Sequence, residues 1–350
     1  MFNSFVKRDI ITEAFETFHV EIIKYIKKEY LMIKQLKGDA MLMLTAIIWG
    51  TSFVAQKEGM DLIGPLAYNG TRTVIGALVL IPVILILDRI KKNKAMADGS
   101  YAEPTPEEKK AANKTLIIGG ICCGMALCVA GNVQQVGIFH TSVAHSGFIT
   151  ALYVVIVPLL GLFVRKKVTP VIWGCVAAAA VGLYLLCIPS TGFGSVNMGD
   201  VIIFICAICF AIHILVIDYF SPKVDGVKLS CIQFFVAGIL SLVFTPVVDP
   251  ALGFDLPSVS TMLASWLPIL YSGVLSCGVA YTLQVVAQKD TDPTIASMIL
   301  CLESVFALIA GMVILGEMMS MREIIGCVIM FAAIIVANLP AKEKGDVQKQ

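Results

Sequence analysis

One acidic side chain, Glu303, stands in the middle of TDPTIASMILCLESVFALIAGMVILGE, the otherwise apolar stretch of residues 291–317. A carboxylate at the centre of a bilayer costs roughly 2.5 to 3.5 kcal/mol on insertion scales, so it must face protein or a wet cavity. Two roles fit such a group: a proton carrier in coupled transport, or a packing glutamate that is protonated or paired with an arginine. The matching cation is Arg72, in PLAYNGTRTVIGAL from Pro65. It either holds an anionic group of a solute or pairs with Glu303 in a closed state. As a structural residue it would snorkel outward or bond backbone carbonyls.

Other polar side chains recur inside apolar stretches. Asn132, Gln134 and Gln135 form one cluster, and Tyr281 with Gln284 another. Hydrogen bonding between helices, at roughly 0.6 to 2 kcal/mol each, is the plainer reading, with cavity lining beside it. Gln233 occupies the position that matches Arg72 in the other half of the chain. His145 and His213 lie in apolar stretches without a carboxylate or Cys at ligand spacing, so neither reads as a metal ligand. Trp49 and Tyr153 pack either against a solute or against neighbouring helices.

These residues need a scaffold, and composition supplies its class. Of 350 residues, 58% are hydrophobic and 15% charged, against about 25% charged in soluble domains. The sequence therefore predicts an all-α, multi-pass membrane protein. A net charge of +1 gives nucleic acid no field to follow. The eleven cysteines all fall in apolar stretches and read as small core residues, including the CxxC-spaced Cys206 and Cys209. No GxxxxGKS/T loop, HExxH pair or pair of intramembrane aspartates appears, which argues against ATP-driven transport and membrane-embedded catalysis.

Ten apolar segments are expected, at 39–56, 65–87, 115–139, 142–164, 171–188, 200–220, 229–248, 263–287, 293–315 and 322–340. All but three of the 26 Lys and Arg then fall on one side. Lys57 and Arg322 lie opposite, and Arg72 lies within a segment. By the positive-inside rule both termini are cytoplasmic, in the cell membrane. Residues 1–31 carry Ile11, Phe15, Phe18, Ile22 and Ile26 on one helical face, which suits an amphipathic helix on the membrane surface. The alternative is a misassigned start ahead of Met32.

The chain also repeats itself. GDAMLMLTAIIW from Gly38 matches GDVIIFICAICF from Gly199, and VQQVGIFHTSVAHSGFITALY from Val133 matches LQVVAQKDTDPTIASMILCLE from Leu283. The second alignment sets Tyr153 against Glu303. Five segments per half is odd, so the second copy enters from the other side: two inverted five-helix repeats, 38–190 and 199–341, between an extension of residues 1–37 and a tail of 342–350. Inverted bundles can open a shared cavity to either side, which is the logic of a transporter.

LTAIIWGTSFVAQKEG from Leu44, the arginine of the second segment, HTSVAHSGFITALYVVIVPLLG from His140 and the closing Leu315-Gly316-Glu317 resemble the EamA family of the drug/metabolite transporter superfamily. The likeness spans roughly 38–341. It implies ten helices and movement of a small organic metabolite or drug-like solute, by alternating access, without a cofactor. The first half lacks a counterpart of the closing Gly-Glu and has Arg165-Lys166-Lys167 instead. A membrane-embedded sensor or scaffold without flux, and an intramembrane enzyme, are the alternatives. Expected partners are the solute and the bilayer, and the sequence leaves homodimer formation open.

Overall fold

The computed structural model describes residues 2–339 except 61, 102, 104, 142, 167, 189–196 and 316–319. At helical positions 2–18, 20–28, 30, 31, 143–145 and 310–315 the backbone alone is described. The side chain of His145, Glu317 and the tail 342–350 therefore lie outside the described residues, as do the faces of most of residues 1–31.

The helices are α1 (Phe2–Met60), α2 (Pro65–Ala97), α3 (Pro106–His140), α4 (Val143–Ala151), α5 (Tyr153–Phe163), α6 (Pro170–Cys187), α7 (Met198–Phe220), α8 (Gly226–Ala251), α9 (Val259–Ala264) and α10 (Trp266–Leu270). A π-helical stretch, Tyr271–Tyr281, leads into α11 (Thr282–Ala287), followed by α12 (Pro293–Leu300), α13 (Glu303–Leu315) and α14 (Met321–Asn338). Among the described residues there is no strand. The polar breaks in the sequence start these helices by ordinary chemistry. Pro65, Pro106, Pro170 and Pro293 sit in first turns, where the missing N–H costs nothing. Thr105 with Glu108, Asn197 with Asp200 and Ser320 with Glu323 form capping boxes, each satisfying otherwise orphan N–H groups.

Nine helical stretches among the described residues are long and apolar enough to cross a membrane. The remaining apolar segment of the sequence, at 293–315, appears as the shorter stretch Pro293–Ile309, interrupted at Cys301 and Leu302. Pro82 and Pro158 lie inside α2 and α5, and the interruptions fall elsewhere. The first helix runs unbroken from the amino-terminal extension into the first apolar segment.

α2 packs along α8, α3 along α7 and α8, and α6 along α14. The α6–α14 crossing depends on two glycines. A Cβ on Gly182 would stand 2.8 Å from Gly326 O, and one on Gly326 would stand 2.6 Å from Gly182 O. Small residues at such crossings let backbones approach where lipid supplies no hydrophobic drive between helices. All eleven cysteines are free thiols, and Cys206 belongs to the main core.

The two ends of the bundle are held differently. At the end that carries nearly all the Lys and Arg, the basic end, four ion pairs join separate elements: Lys34–Asp290 at 2.9 Å, Lys166–Asp218 at 2.6 Å, Lys228–Asp88 at 2.8 Å and Lys91–Asp225. At the far end, Asp249 of α8 accepts the backbone N–H of Leu66 and Ala67, both at 3.0 Å, and Asp200 accepts the Thr141 hydroxyl at 2.6 Å.

Asp225 also accepts Val227 N at 3.0 Å and Lys228 N at 3.2 Å, capping α8. Partial burial works against its charged form, but the Lys91 hydrogen bond, the Lys228 backbone N–H and the charges of Lys91 and Lys228 outweigh it and hold the carboxyl below its usual range. A depressed carboxylate stabilises the fold above its unfolded pKa, and that contribution is lost as pH falls through the folded value. Asp225→Asn should lower stability by about 1 kcal/mol at neutral pH. Thermal melts of wild type and variant should converge as the pH is lowered into the carboxylate range.

Candidate functional site

Two helices of the bundle are interrupted at matching places in the two halves. α4 gives way to α5 at Leu152, and α12 gives way to α13 at Cys301 and Leu302. The bonds across the breaks tighten to the i→i−3 kind, Leu152 N to Ile149 O at 3.2 Å and Leu302 N to Ile299 O at 3.1 Å. No proline lies at either break. Each second half-helix opens on a candidate residue, Tyr153 in one and Glu303 in the other. The Tyr153 hydroxyl donates to Glu303 Oε1 at 3.2 Å, with both side chains buried. α1 reaches this junction through Gly50, where a Cβ would meet Glu303 O at 2.6 Å and Ala307 N at 2.7 Å.

Tyr153 and Glu303 open onto a cavity of about 30 Å³, also lined by Trp49, Arg72, Gln134 and Tyr281 and completed by Phe53, Gln56, Thr150, Phe210 and Ser276. That volume holds roughly two waters. Small-molecule sites run to about 300 Å³ or more, so the helices must separate to admit a metabolite. Arg72 and Glu303 both reach the cavity, yet each takes its side-chain hydrogen bond from elsewhere. Arg72 Nε donates to Asn69 Oδ1 at 3.0 Å, and its guanidinium carbon stands 5.7 Å from the Tyr68 ring centroid. Asn69 Nδ2 donates in turn to Asn132 Oδ1 at 2.8 Å, and Asn132 Nδ2 to Ser241 Oγ at 2.9 Å. This chain fixes the arginine from behind and leaves its end toward the cavity.

A further wall, packed against α2 beside Arg72, is the π-helical stretch. Its wider turns reach out to donors on α1: Trp49 Nε1 donates to Ser276 O at 3.3 Å and Thr45 Oγ1 to Ala280 O at 3.0 Å. The Tyr68 hydroxyl bonds Ser272 Oγ at 2.7 Å, and Thr51 bonds the Tyr271 hydroxyl. Trp49 and Tyr281 rings stack in a tilted arrangement with centroids 4.5 Å apart. Wide turns of this kind concentrate at functional sites.

Of the residues singled out in the sequence, Trp49, Arg72, Gln134, Tyr153, Tyr281 and Glu303 meet at the cavity. Asn132 stands one step behind, through Asn69. Gln135 is fully buried, with neither amide atom bonded to protein, and it is Gln134 that lines the cavity. His213 and Gln233 bond each other at 3.1 Å, and His213 lies behind Tyr281 with ring centroids 6.2 Å apart. Gln284 is buried one turn beyond Tyr281. Phe53, Gln56, Thr150, Phe210 and Ser276 were not singled out in the sequence. Three had a readable signal: Phe53 and Gln56 follow Trp49 at helical spacing, and Phe210 matches Trp49 in the repeat. Among the described residues no group of three or more His, Cys, Asp or Glu is placed to hold a metal.

The EamA-like transporter family matches the chain twice, over residues 36–188 and 197–339. An uncharacterized transporter of Archaeoglobus fulgidus is 28% identical over 309 residues, 88% of this chain and 87% of its own length. An uncharacterized transporter of Clostridium kluyveri is 21% identical over 325 residues, covering 89% of this chain and 96% of that one. A protein crystal structure superposes with a TM-score of 0.64 over 86% of this chain and 96% of its own, at 16% identity, a likeness of fold alone.

Because a Cβ at residue 50 would press on backbone atoms rather than on a flexible side chain, Gly50→Ala should lower stability by about 1 to 3 kcal/mol. A thermal melt of the purified variant reads this directly, and an unchanged melt would show that α1 does not approach the break so closely.

Proposed function

We infer function from the premise that the chain belongs to the EamA-like transporter family. It is a multi-pass membrane transporter, and the reading that follows is our own. The protein moves a small organic solute by alternating access between two inverted five-helix repeats, ten spans in all, with both termini on the cytoplasmic side of the cell membrane. Three features support the repeat. The family matches once in each half, the helix breaks at Leu152 and Leu302 fall at equivalent places, and the matched residues Trp49 and Phe210 line one cavity. Interrupted helices at the repeat interface are where transporters of this build place their solute. The Lys and Arg asymmetry supports the orientation.

The observation that carries the reading is the cavity itself, lined by both halves, with an arginine and a glutamate that do not depend on each other. Arg72 holds an anionic group of the solute, and the aromatic walls enclose its body. Glu303 carries the coupling proton: its one side-chain hydrogen-bond partner among the described residues, the Tyr153 hydroxyl, donates to the charged form and can turn to accept from the protonated one. Solute and proton thus meet at one junction between the half-helices.

Vesicles holding the purified protein and loaded with a water-soluble metabolite extract should lose a defined subset of metabolites faster than protein-free vesicles, read by mass spectrometry. If none leaves faster, transport is the wrong reading. For a metabolite so identified, Glu303→Gln should abolish accumulation driven by a pH gradient while leaving exchange at equal pH. Retained gradient-driven uptake in that variant would remove the proton from Glu303.

A further inference from the structure

Behind Tyr281, toward the basic end, lies a second group of polar side chains that the cavity does not use. His213 on α7 bonds Gln233 Oε1 through Nε2, but its Nδ1 and Gln233 Nε2 have no protein partner. The same holds for Ser230 Oγ, one turn along α8, and for Gln284 Oε1 and Gln288 Oε1 at the end of α11. Gln288 Nε2 donates to Ile214 O of α7 at 3.2 Å, and a Cβ on Gly226 would touch Val285 and Val286, so α7, α8 and α11 meet here. All five polar side chains are 1% exposed or less.

Alongside this seam, at the level of Ser230 and Gln284, is an apolar cluster of Cys123, Ile217, Leu229 and Val285, each 0% exposed and separate from the main core. Ile217 lies one turn nearer the basic end than His213, and Leu229 one turn nearer than Gln233. Two of the ion pairs, Lys91–Asp225 and Lys228–Asp88, close over the same corner. From the cavity outward come His213 with Gln233, then Ser230 and Gln284 beside the apolar plug, then Gln288, with the ion pairs over the corner.

An unpartnered amide or imidazole in a dry interior is costly, and apolar residues would fill the space better. Five buried polar side chains with unpartnered atoms, on three adjoining elements, are kept where they line water. Their chemistry is also uniform: donors and acceptors without a fixed charge, in contrast to the arginine and glutamate of the cavity. Such a lining passes a hydrogen-bonding solute without trapping it. We propose that this seam is the hydrated inner passage of the transport route, drawn shut in this structure, and that the Cys123–Ile217–Leu229–Val285 plug is its gate. The proposal rests on the transport reading above.

The plug carries its own reporter, Cys123. Wild-type protein in lipid nanodiscs, with both ends open to solvent, is treated with a small cationic methanethiosulfonate, and modification is read by mass spectrometry at Cys123 and at Cys175 of α6, which is also buried. Cys123 should be modified in time while Cys175 is spared, and Leu229→Ala should speed the reaction at Cys123 about tenfold, the factor that weakening the closed state by some 1.4 kcal/mol gives. Ile217→Val serves as a milder opening should Leu229→Ala not fold. In parallel, Ser230→Ala should leave Tm unchanged or lower it, because water is the partner of that hydroxyl. Cys123 reacting no faster than Cys175 in wild type and gate variants, or a rise in Tm on Ser230→Ala, overturns the proposal. Neither measurement needs a solute, so their failure would leave the transport assignment standing, and failure of the efflux assay would leave the accessibility result intact.

Discussion

A carboxyl group surrounded by hydrocarbon needs a partner, and Glu303 has the Tyr153 hydroxyl. The bundle is arranged so that this bond can form. Each residue begins a half-helix, so the breaks at Leu152 and at Cys301–Leu302 aim the two side chains at each other across the repeat. The breaks are tolerated because the backbone around them is enclosed by protein rather than lipid. Gly50 brings α1 against one of them, and Ser304 Oγ donates to Gly147 O at 3.4 Å between them. Remove the need to satisfy that acid and there is little reason for either helix to stop.

Arg72 is treated in the opposite way. It is tied through Asn69, Asn132 and Ser241, a relay that runs from α2 through α3 to α8 and back onto the carbonyl of Ala237 at 2.8 Å. A guanidinium has five N–H donors, and this relay engages the one on Nε. The cation is therefore positioned without being neutralised. An arginine held by amides rather than by an acid keeps its charge for whatever enters the cavity.

Much of the architecture was legible in the sequence, for physical reasons. Hydrophobic runs and capping residues such as Thr105 and Asn197 mark helices because lipid and orphan N–H groups each impose one solution. The matching of Tyr153 with Glu303 was legible because the repeat is still readable in residue type, and the structure turns that alignment into a contact. What stayed hidden was anything without a compositional mark. The break at Leu152 has no proline or glycine at it, so nothing distinguishes VAHSGFITALYVVIVP from one continuous helix. The choice of Gln134 over Gln135 as the lining residue depends on helix rotation, which neighbouring amides cannot signal. The π-helical stretch is equally silent, since Ser276 and Tyr281 would suit an α-helix as well.

The unlike fastening of the two ends has a bearing on solution conditions. Ion pairs that are partly open to solvent weaken as dissolved salt screens them, whereas a buried carboxylate on backbone N–H groups is sheltered. Asp249 is fully buried, while both members of the Lys228–Asp88 pair are more than a third open to solvent. Ionic strength therefore acts on this molecule as a one-sided lever. It loosens the basic end and spares the other.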